Sequence, residues 1–436
     1  APGPAELTAE ELTEAQTLTC ASVLHLLQAQ IKQEQAAKLW LVTQGAVSVE
    51  ETEDSLGIAQ APLWGLGKVI AQEHPALWGG LIDNPDVDSL LAEIGAGDGE
   101  NAKKEDQIAY RDRQRYVARL VRHEPAPPDA APALNADSSY LITGGLGALG
   151  LEVAKWMVDE GARHLVLTGR RAPSEKAREV IEQLEQTGTR ILVVGADVSD
   201  REQVGHLFKA MNEQMPPLKG VVHAAGVANH ENLKHQDWES FSRAMAAKVA
   251  GSWHLHILTQ SMPLDFFVGF SSASALLGGL GLGSYVAANT FIDALIHFRR
   301  TQDLPGLSVN WGMWDGDGMF AVWAKTGNQG NTRLREYAFS PETGVQILGA
   351  LMETDVSQVG VLPGDLSRYL QEFYPGDLPP FLELYRAVSD QSAKSTGFVE
   401  NLEKIPPEKQ RGFLTAHIRS ELNRVLGFDS AQPMDA

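Results

Sequence analysis

A short apolar strand that runs directly into a glycine-rich turn and a helix most constrains how this chain can fold. Ser139-Tyr-Leu-Ile-Thr143 predicts a buried strand, and an amphipathic helix is predicted from about Ala148 to Glu160. The intervening glycines permit a tight turn, close approach of backbone to a pyrophosphate, and close packing of helix on strand. A tight turn without a ligand is the alternative for the glycines taken alone. The candidate dinucleotide-binding residues are Thr143, Gly144, Gly145, Leu146, Gly147, Ala148, Leu149 and Gly150.

Apolar strands and amphipathic helices continue to alternate after this turn. The strand segments are too apolar to be half-exposed, which predicts a parallel sheet covered on both faces. The predicted strands are Leu165–Thr168, Ile191–Gly195, Gly220–His223, Phe266–Phe270 and Leu307–Asn310, with helices over about 175–186, 201–214, 236–260 and 284–302.

The residues before this region show a second α/β pattern that lacks the glycine turn. Trp64-Gly-Leu-Gly67 is the nearest candidate, but it lies within a helical stretch, which favours a packing role over nucleotide binding. The sequence therefore predicts an α/β fold with two Rossmann-like subdomains, of which only the C-terminal one carries the nucleotide loop. The helices predicted in the first half are Leu18–Gln35 and Pro62–Gln72, and the strands are Leu39–Thr43, Trp78–Asp83, Gln107–Tyr110 and Arg115–Arg122.

A serine, a tyrosine and an asparagine form the candidate catalytic group. Ser272 lies 13 residues before Tyr285, and Asn289 lies four residues after it, on the same face of a helix. In carbonyl reduction one group holds the carbonyl oxygen while another protonates it as hydride arrives. The pattern therefore predicts ketone reduction, with Tyr285 as the acid and Ser272 as a hydrogen-bond donor. Ser271 is the alternative donor, although the spacing favours Ser272.

An arginine after the second strand of this region bears on the choice of cofactor. Arg170 lies 20 residues after Gly150. A carboxylate there would hold the ribose hydroxyls of NAD, whereas an arginine accommodates the 2′-phosphate of NADP. A solvent-facing arginine is the alternative reading. Arg170 therefore makes NADPH the predicted cofactor. The small residues Ala224, Ala225 and Gly226, after the fourth strand, leave room for backbone to approach it.

With these motifs together, the chain closely resembles the ketoreductase domain of modular type I polyketide synthases, within the short-chain dehydrogenase/reductase superfamily. Simple members of that superfamily carry Tyr-x-x-x-Lys, whereas here the residue four after Tyr285 is Asn289. The lysine is identified by the resemblance as Lys248, in Lys248-Val-Ala-Gly251, 37 residues before the tyrosine. The match extends from about Leu18 to about Tyr374.

The resemblance implies an NADPH-dependent reduction of a β-ketoacyl thioester to a β-hydroxyacyl thioester during polyketide chain extension. The substrate would be carried on the phosphopantetheine of an acyl carrier protein, next to other synthase domains. A stand-alone reductase of small ketones and a non-catalytic NADP-binding scaffold are the alternatives.

Site roles follow from the same resemblance. Lys248 would lower the pKa of Tyr285 and hold the nicotinamide ribose, and Asn289 would position the lysine or a relay water. Asp197 and Val198 would contact the adenine, although an N-cap of the next helix is a rival role for Asp197 or for its neighbours Ser199 and Asp200. The remaining implied elements are Asn310 and Gly312 beside the nicotinamide, and Met313 to Tyr337 as a lid over the substrate.

Two stereochemical motifs of the resembled family are incomplete. Residues 228–230 are Ala-Asn-His where many members have Leu-Asp-Asp, and Leu277 stands where the opposite class often has tryptophan. The missing Leu-Asp-Asp favours the A-type outcome, an L-β-hydroxyacyl product.

The expected organisation has four parts. Residues 1–123 form a structural subdomain, 124–136 a linker rich in proline and alanine, 137–383 the catalytic subdomain, and 384–436 a linker with the start of a truncated carrier-like domain. Phe413 to Gly427 resembles the first helix of an acyl carrier protein, with an ordinary C-terminal helix as the alternative. The absence of an initial methionine fits a segment of a longer chain.

Composition excludes several classes of function. The net charge of −20 argues against nucleic acid and anionic membrane as partners. No apolar run reaches the ~18 residues that span a bilayer, and the N-terminus does not have the pattern of a signal peptide. Cys20 is the only cysteine and lies in an apolar helical pattern, so it is predicted as a core residue. A reducing, cytoplasmic location is expected, and no metal site is predicted.

Overall fold

The computed structural model describes residues 7–34, 37–49, 57–96, 105–123, 134–316, 337–362, 366, 369–370, 378–385 and 410. Most of them belong to one compact unit, within Ala1–Ala118, Arg122–Gly312 and Pro341–Leu362. The remaining described residues belong to a second unit, within Arg119–Val121, Met313–Ser340 and Pro363–Ala436.

The second unit is described only in short pieces. Trp314 forms an isolated parallel bridge with Phe339, and a 3-10 turn covers Pro380–Leu382. The predicted lid falls mainly on residues 317–336, and the predicted carrier-like helix falls on 413–427. Both lie outside the described residues, so both stay predictions, as do the four domain boundaries.

The first sheet has four strands in the order β1-β2-β3-β4, three parallel and the last antiparallel. The predicted helix Leu18–Gln35 belongs to a longer helical segment that begins at Ala9 and includes a π-helical turn at Thr17–Ala21. The predicted last strand, Arg115–Arg122, is shorter in the structure. The elements are β1 (Leu39–Thr43), β2 (Trp78–Asp83), β3 (Gln107–Arg111), β4 (Gln114–Val117), α1 (Ala9–Gln16), α2 (Ser22–Lys32), α3 (Pro62–Glu73) and α4 (Val87–Ala96).

The second sheet has seven parallel strands, as predicted for the C-terminal part, in the order β11-β10-β9-β8-β5-β6-β7. The order reverses between β5 and β8, so a crevice opens beyond the carboxyl ends of these strands, where doubly wound sheets bind nucleotides. The strands are β5 (Ser139–Thr143), β6 (His164–Gly169), β7 (Arg190–Gly195), β8 (Leu218–His223), β9 (Phe266–Ser272), β10 (Leu307–Trp311) and β11 (Gln358–Val361).

The predicted helices on this sheet are confirmed except over 236–260. One helix was predicted there, and the structure has two, Trp238–Met245 and Ala250–Thr259. The chain turns at residues 246–249, and this turn directs the Lys248 side chain into the interior. β11, the short helix Ala273–Leu277 and the last helix were not predicted. No helix in the described part of the chain is long and apolar enough to cross a membrane. The helices are α5 (Ala148–Asp159), α6 (Glu175–Gln186), α7 (Arg201–Gln214), α8 (Trp238–Met245), α9 (Ala250–Thr259), α10 (Ala273–Leu277), α11 (Gly283–Arg300) and α12 (Pro341–Met352).

One hydrophobic core joins the two halves of the main unit, because α3 packs closely against α11. A Cβ on Gly65 would lie 2.7 Å from the Val286 carbonyl oxygen and 2.6 Å from Thr290 Oγ1. Only glycine allows this approach, so the prediction that Trp64-Gly-Leu-Gly67 serves packing is confirmed. The core draws buried side chains from both halves, including Leu24, Trp64, Leu66, Phe241, Trp253, Phe291 and Phe298.

Cys20, the single thiol, lies in this core as predicted. It is fully buried, and its Sγ lies 3.7 Å from Oε1 of Gln16, one helical turn earlier. Burial raises the pKa of the Cys20 thiol to about 12, so the residue stays protonated at neutral pH.

We expect Gly65→Ala to destabilise the protein by about 1–3 kcal/mol, because the added methyl group must push α3 away from the α11 backbone. Gly205 is a matched control: it lies inside α7 with no atom within 4 Å of an added Cβ. Gly205→Ala is expected to stabilise by about 0.5–1 kcal/mol. Urea midpoints followed by circular dichroism compare the two, and similar shifts would contradict close α3–α11 packing.

Candidate active site

The glycine turn joins β5 to α5 at the switch point of the sheet. Gly144 has a φ of 70°, and a Cβ there would lie 2.9 Å from the Ala224 carbonyl carbon and the Ala225 nitrogen. Gly147 is the N-cap of α5 and has no side chain to cap the helix. The first N–H groups of α5 therefore have no side-chain cap, which is the arrangement that binds phosphate.

The other predicted residues of the turn shape it. The Gly145 amide donates to the Thr168 carbonyl at 3.1 Å, and a Cβ on Gly150 would strike the backbone of Gly144. Leu146 lies against Gly169 at the end of β6. Ala148 and Leu149 begin α5, directly after the turn, and are half-buried.

A histidine that the sequence motifs did not single out connects the two central strands. His223, fully buried at the end of β8, shares a 2.6 Å hydrogen bond through Nδ1 with Thr143 Oγ1. Its Nε2 lies 3.1 Å from the Ala247 carbonyl oxygen, next to Lys248. Burial lowers the pKa of His223 to about 3, with the Lys248 charge adding to the effect, so the ring is neutral. Its position at a strand end, directly before Ala224, was the available signal.

Lys248 lies in the turn between α8 and α9 and is only 3% exposed. Its Nζ donates to the Phe270 carbonyl at 2.6 Å, beside the end of β9. A Cβ on Gly226 would lie 2.6 Å from Lys248 Cε, so the small residues after β8 make room for the lysine. Burial lowers the pKa of Lys248 to about 8, and the nearby Asp293 charge acts in the opposite direction.

The structure brings Ser272 and Tyr285 together. Ser272 ends β9 and caps α10, where its Oγ accepts from the Ser274 amide at 3.2 Å. Tyr285 lies in the first turn of α11. Burial raises its pKa above the ordinary value, while hydrogen bonds with Ser272 and Asn289 act to lower it. A neighbouring cation was expected to lower the pKa of Tyr285. In the structure the net shift is upward, because the effect of burial is larger.

Asn289 shares the face of α11 with Tyr285, as its spacing predicted. Its Nδ2 donates to the Tyr285 carbonyl at 2.7 Å. Its Oδ1 is buried without a hydrogen-bond partner among the described residues. A buried unpaired carbonyl oxygen is costly unless a donor reaches it, which suits the predicted role of holding a lysine or a water.

Ser271 and Asn310 belong to a buried network beneath the catalytic group. The Ser271 hydroxyl donates to the Asn289 carbonyl at 3.3 Å and accepts from Asn310 Nδ2 at 2.9 Å. The Ser271 hydroxyl is buried and already hydrogen-bonded within the protein, which supports Ser272 as the donor to a substrate. The Asn310 side chain is likewise enclosed, with 0% exposure, and its amide also bonds Asp293. The place of Asn310 and Gly312 beside a nicotinamide stays a prediction.

Asp293 is a second residue that the motifs did not reveal, although it lies eight residues after Tyr285 on the same helical face. Its carboxylate accepts from Ser308 Oγ at 2.6 Å and from Asn310 Nδ2 at 2.9 Å. Burial raises the pKa of Asp293, while these hydrogen bonds and the charge of Lys68 lower it. Asp293 is therefore the acidic counterpart of the buried lysines.

The residues predicted for the adenosine part lie around β6 and β7. Arg170 directly follows β6 and is exposed. Asp197 accepts from the Ser199 amide at 3.0 Å and from its hydroxyl at 2.7 Å, whereas Asp200 caps α7. The rival N-cap role thus belongs to Asp200. Val198 is 4% exposed and follows Asp197 in the wall of this region.

These features fit a dinucleotide. The crevice offers a glycine turn, an uncapped helix N-terminus, an exposed arginine after β6 and a buried lysine close to Gly226. Among the described residues, no group of three or more His, Cys, Asp or Glu side chains is arranged to hold a metal ion.

Two family models cover the two halves of the chain. One described as KR domain matches residues 138–316, and one described as the Rossmann fold domain of the polyketide synthase extender module SpnB matches residues 2–120. Polyketide synthase GfsA from Streptomyces halstedii is 37% identical over 368 residues, which are 83% of this chain but only 5% of that synthase.

Solved structures agree with these matches. An A1-type ketoreductase superposes with a TM-score of 0.74 and 34% identity, over 83% of this chain and 76% of its own. A C2-type ketoreductase from a modular polyketide synthase superposes with a TM-score of 0.72 and 30% identity, over 83% of this chain and 77% of that structure. The chain belongs to the ketoreductase domains of modular polyketide synthases and is therefore an oxidoreductase that converts a β-keto group to a hydroxyl group.

Proposed function

We propose that this domain uses NADPH to reduce the β-keto group of an acyl thioester carried on an acyl carrier protein, giving a β-hydroxyacyl thioester of L configuration. The observation that carries the proposal is the pairing of Ser272 with Tyr285 where β9 ends, at the carboxyl edge of the same sheet whose β5 leads into the glycine turn. When bound, NADPH would supply the hydride.

The protonation state of Tyr285 suits an acid in reduction. Because burial raises its pKa, the phenol keeps its proton at neutral pH and can give it to a developing alkoxide. Ser272 would donate a hydrogen bond to the same oxygen, where negative charge grows in the transition state. The half-buried position of both residues keeps them accessible to a substrate.

Lys248 would provide positive charge near the ribose and the tyrosine. Its ammonium is held by the Phe270 carbonyl and balanced by Asp293, so the charge is retained despite burial up to a pH of about 8. Asn289, with its unpaired Oδ1, would accept a hydrogen bond from the lysine or from a relay water. Both residues would orient the reacting groups and leave the proton transfer to Tyr285.

The partners follow from the relatives. GfsA is a polyketide synthase about twenty times longer than the matched segment, so we infer that this chain works beside other synthase domains. A carrier-bound thioester as substrate is consistent with that setting.

The L configuration rests on residues 228–230 and on the likeness to an A1-type ketoreductase. The C2-type structure is nearly as similar. Chiral chromatography of the reduced thioester decides the point, and a predominant D-alcohol would overturn the A-type assignment.

Tyr285→Phe is expected to lower kcat for a β-ketoacyl thioester at least about tenfold, a loss of ~1.4 kcal/mol or more in transition-state stabilisation. The change deletes a proton donor and no proposed phosphate contact, so NADPH binding should stay near normal. NADPH oxidation with a panel of thioesters measures the first quantity, and fluorescence titration measures the second. Tyr116→Phe, in β4, controls for loss of a phenol elsewhere. Retention of most activity in Tyr285→Phe would remove the tyrosine as the principal acid.

Arg170→Ala is expected to weaken use of NADPH selectively, since a charge-assisted phosphate contact contributes about 1.5–3 kcal/mol. The measurement is kcat/KM with NADPH and with NADH. Arg171→Ala is the matched control, because Arg171 is the next residue and is also exposed. An equal loss with both cofactors would show that Arg170 does not contact a 2′-phosphate.

The rate should fall as the pH rises above about 8. The folded pKa of Lys248 is lowered to about 8, so the ammonium is present below that pH and is lost above it. Lys68 has a similarly lowered pKa and faces the same Asp293, whereas His223 is already neutral. In a pH profile of kcat/KM, Lys68→Met should keep the decline and Lys248→Met should abolish it. A decline that survives in Lys248→Met would assign it to another group.

A further inference from the structure

The last turn of α3 places one buried carboxylate against two backbone segments of the catalytic half. Glu73 Oε2 accepts from the Leu233 amide at 2.8 Å, and Oε1 accepts from the Gly281 amide at 2.8 Å. The Glu73 side chain is only 5% exposed. These are charge-assisted hydrogen bonds, which are stronger than neutral ones.

The two segments follow different strands of the sheet, and both precede Tyr285 in the chain. Residues 227–233 continue from Gly226, beyond β8, and residues 278–282 end just before α11, which carries Tyr285. The segments are also joined directly, because the Glu231 amide donates to the Gly281 carbonyl at 2.9 Å. Gly281 has a φ of 72°, which glycine adopts readily, so backbone strain does not hold this loop in place. Glu73 ties this flexible position to the first half of the chain through the Gly281 amide.

Other contacts from the first half support the same region. Lys68 Nζ donates to the Ala275 carbonyl at 2.6 Å, and Gln72 Nε2 donates to the Leu277 carbonyl at 2.7 Å. Gln28 Nε2 donates to the carbonyls of Leu233 and Gln236, both at 2.8 Å. These three side chains accordingly bond carbonyl groups, whereas Glu73 accepts from an amide of each segment at once.

We propose that Glu73 is a positioning residue that sets substrate specificity. By holding residues 227–233 and 278–282 at a fixed separation, it determines how the acyl chain approaches Tyr285 and which face of the ketone meets it. Leu280, 66% exposed and adjacent to the held Gly281, is the apolar side chain that this arrangement offers to the acyl chain. The inference rests on the proposed thioester reduction.

Glu73→Gln in the full chain tests the proposal. Glutamine keeps the size, but its NH2 group cannot accept, so one amide loses its partner. We expect KM for the thioester to rise about tenfold and the ratio of the two alcohol configurations to fall about tenfold, equivalent to ~1.4 kcal/mol each. The Kd of NADPH should stay within about twofold, because a contact to the loops does not reach the glycine turn.

Gln28→Ala is the matched control. The substitution removes two partly buried hydrogen bonds between the halves, but Gln28 bonds only one of the two segments. It should lower the thermal midpoint without changing the alcohol ratio. Equal changes of KM and alcohol ratio in Glu73→Gln and Gln28→Ala would overturn the proposal, since they would indicate general destabilisation.

Leu280→Ser is a second variant, at an exposed position where folding is not at risk. We expect KM to rise for thioesters with long acyl chains and to change little for short ones. An identical change for long and short chains would contradict the contact with the acyl chain.

Amide exchange separates a failure of this inference from a failure of the proposed function. If the wild-type protein binds NADPH but reduces no thioester, the proposed function is wrong. The Leu233 and Gly281 amides should still exchange at least about tenfold faster in Glu73→Gln than in the wild type. Unchanged exchange at both amides would refute the clamping role of Glu73.

Discussion

The close packing of α3 on α11 is the constraint on which the rest of the structure depends. α11 carries Tyr285, Asn289 and Asp293 on one face, and Gly65 lets the α3 backbone approach another. The sheet contacts α11 as well, since Gly269 of β9 leaves room for Ile292. The catalytic helix is thus packed on both sides, and one of these sides belongs to a subdomain that contributes none of the proposed reacting groups.

The same arrangement shapes the electrostatics of the site. Lys68, from α3, and Lys248, from the turn after α8, are both affected by the charge of the buried Asp293. Burial lowers the pKa of each lysine, and the carboxylate opposes the shift. Removing one charge from such a group leaves the others without compensation. The two halves are therefore coupled through charge as well as through apolar packing.

The sequence predicted the elements whose residues have strong local requirements. The strand–glycine–helix unit at Thr143–Gly150 was predicted correctly because a tight turn restricts the residue types that fit. The proximity of Ser272 and Tyr285 followed from their spacing across β9 and the start of α11. The division of 236–260 into two helices was missed, because the residues of the turn at 246–249 carry no Gly or Pro that would mark a break, and the contact of Lys248 with the Phe270 carbonyl is tertiary.

The residues that support the site were harder to predict. Glu73 and Asp293 lie in helices whose sequence gives no sign that an acidic side chain there is buried, and an acidic residue in a helix normally faces solvent. Their importance appears only when the fold brings distant backbone amides or hydroxyls to the carboxylates. His223 carried a weak signal as a polar residue that ends an apolar strand.

The burial of Cys20 has a consequence for a protein proposed to receive acyl groups from a carrier thiol. Thioesters exchange readily with thiolates, so an accessible, ionised cysteine could remove the acyl chain from its carrier and retain it. Cys20 is enclosed in the core, and its pKa of about 12 leaves almost no thiolate at neutral pH. The single thiol of the chain is therefore unreactive toward the proposed thioester substrates, and it does not take acyl groups from the carrier.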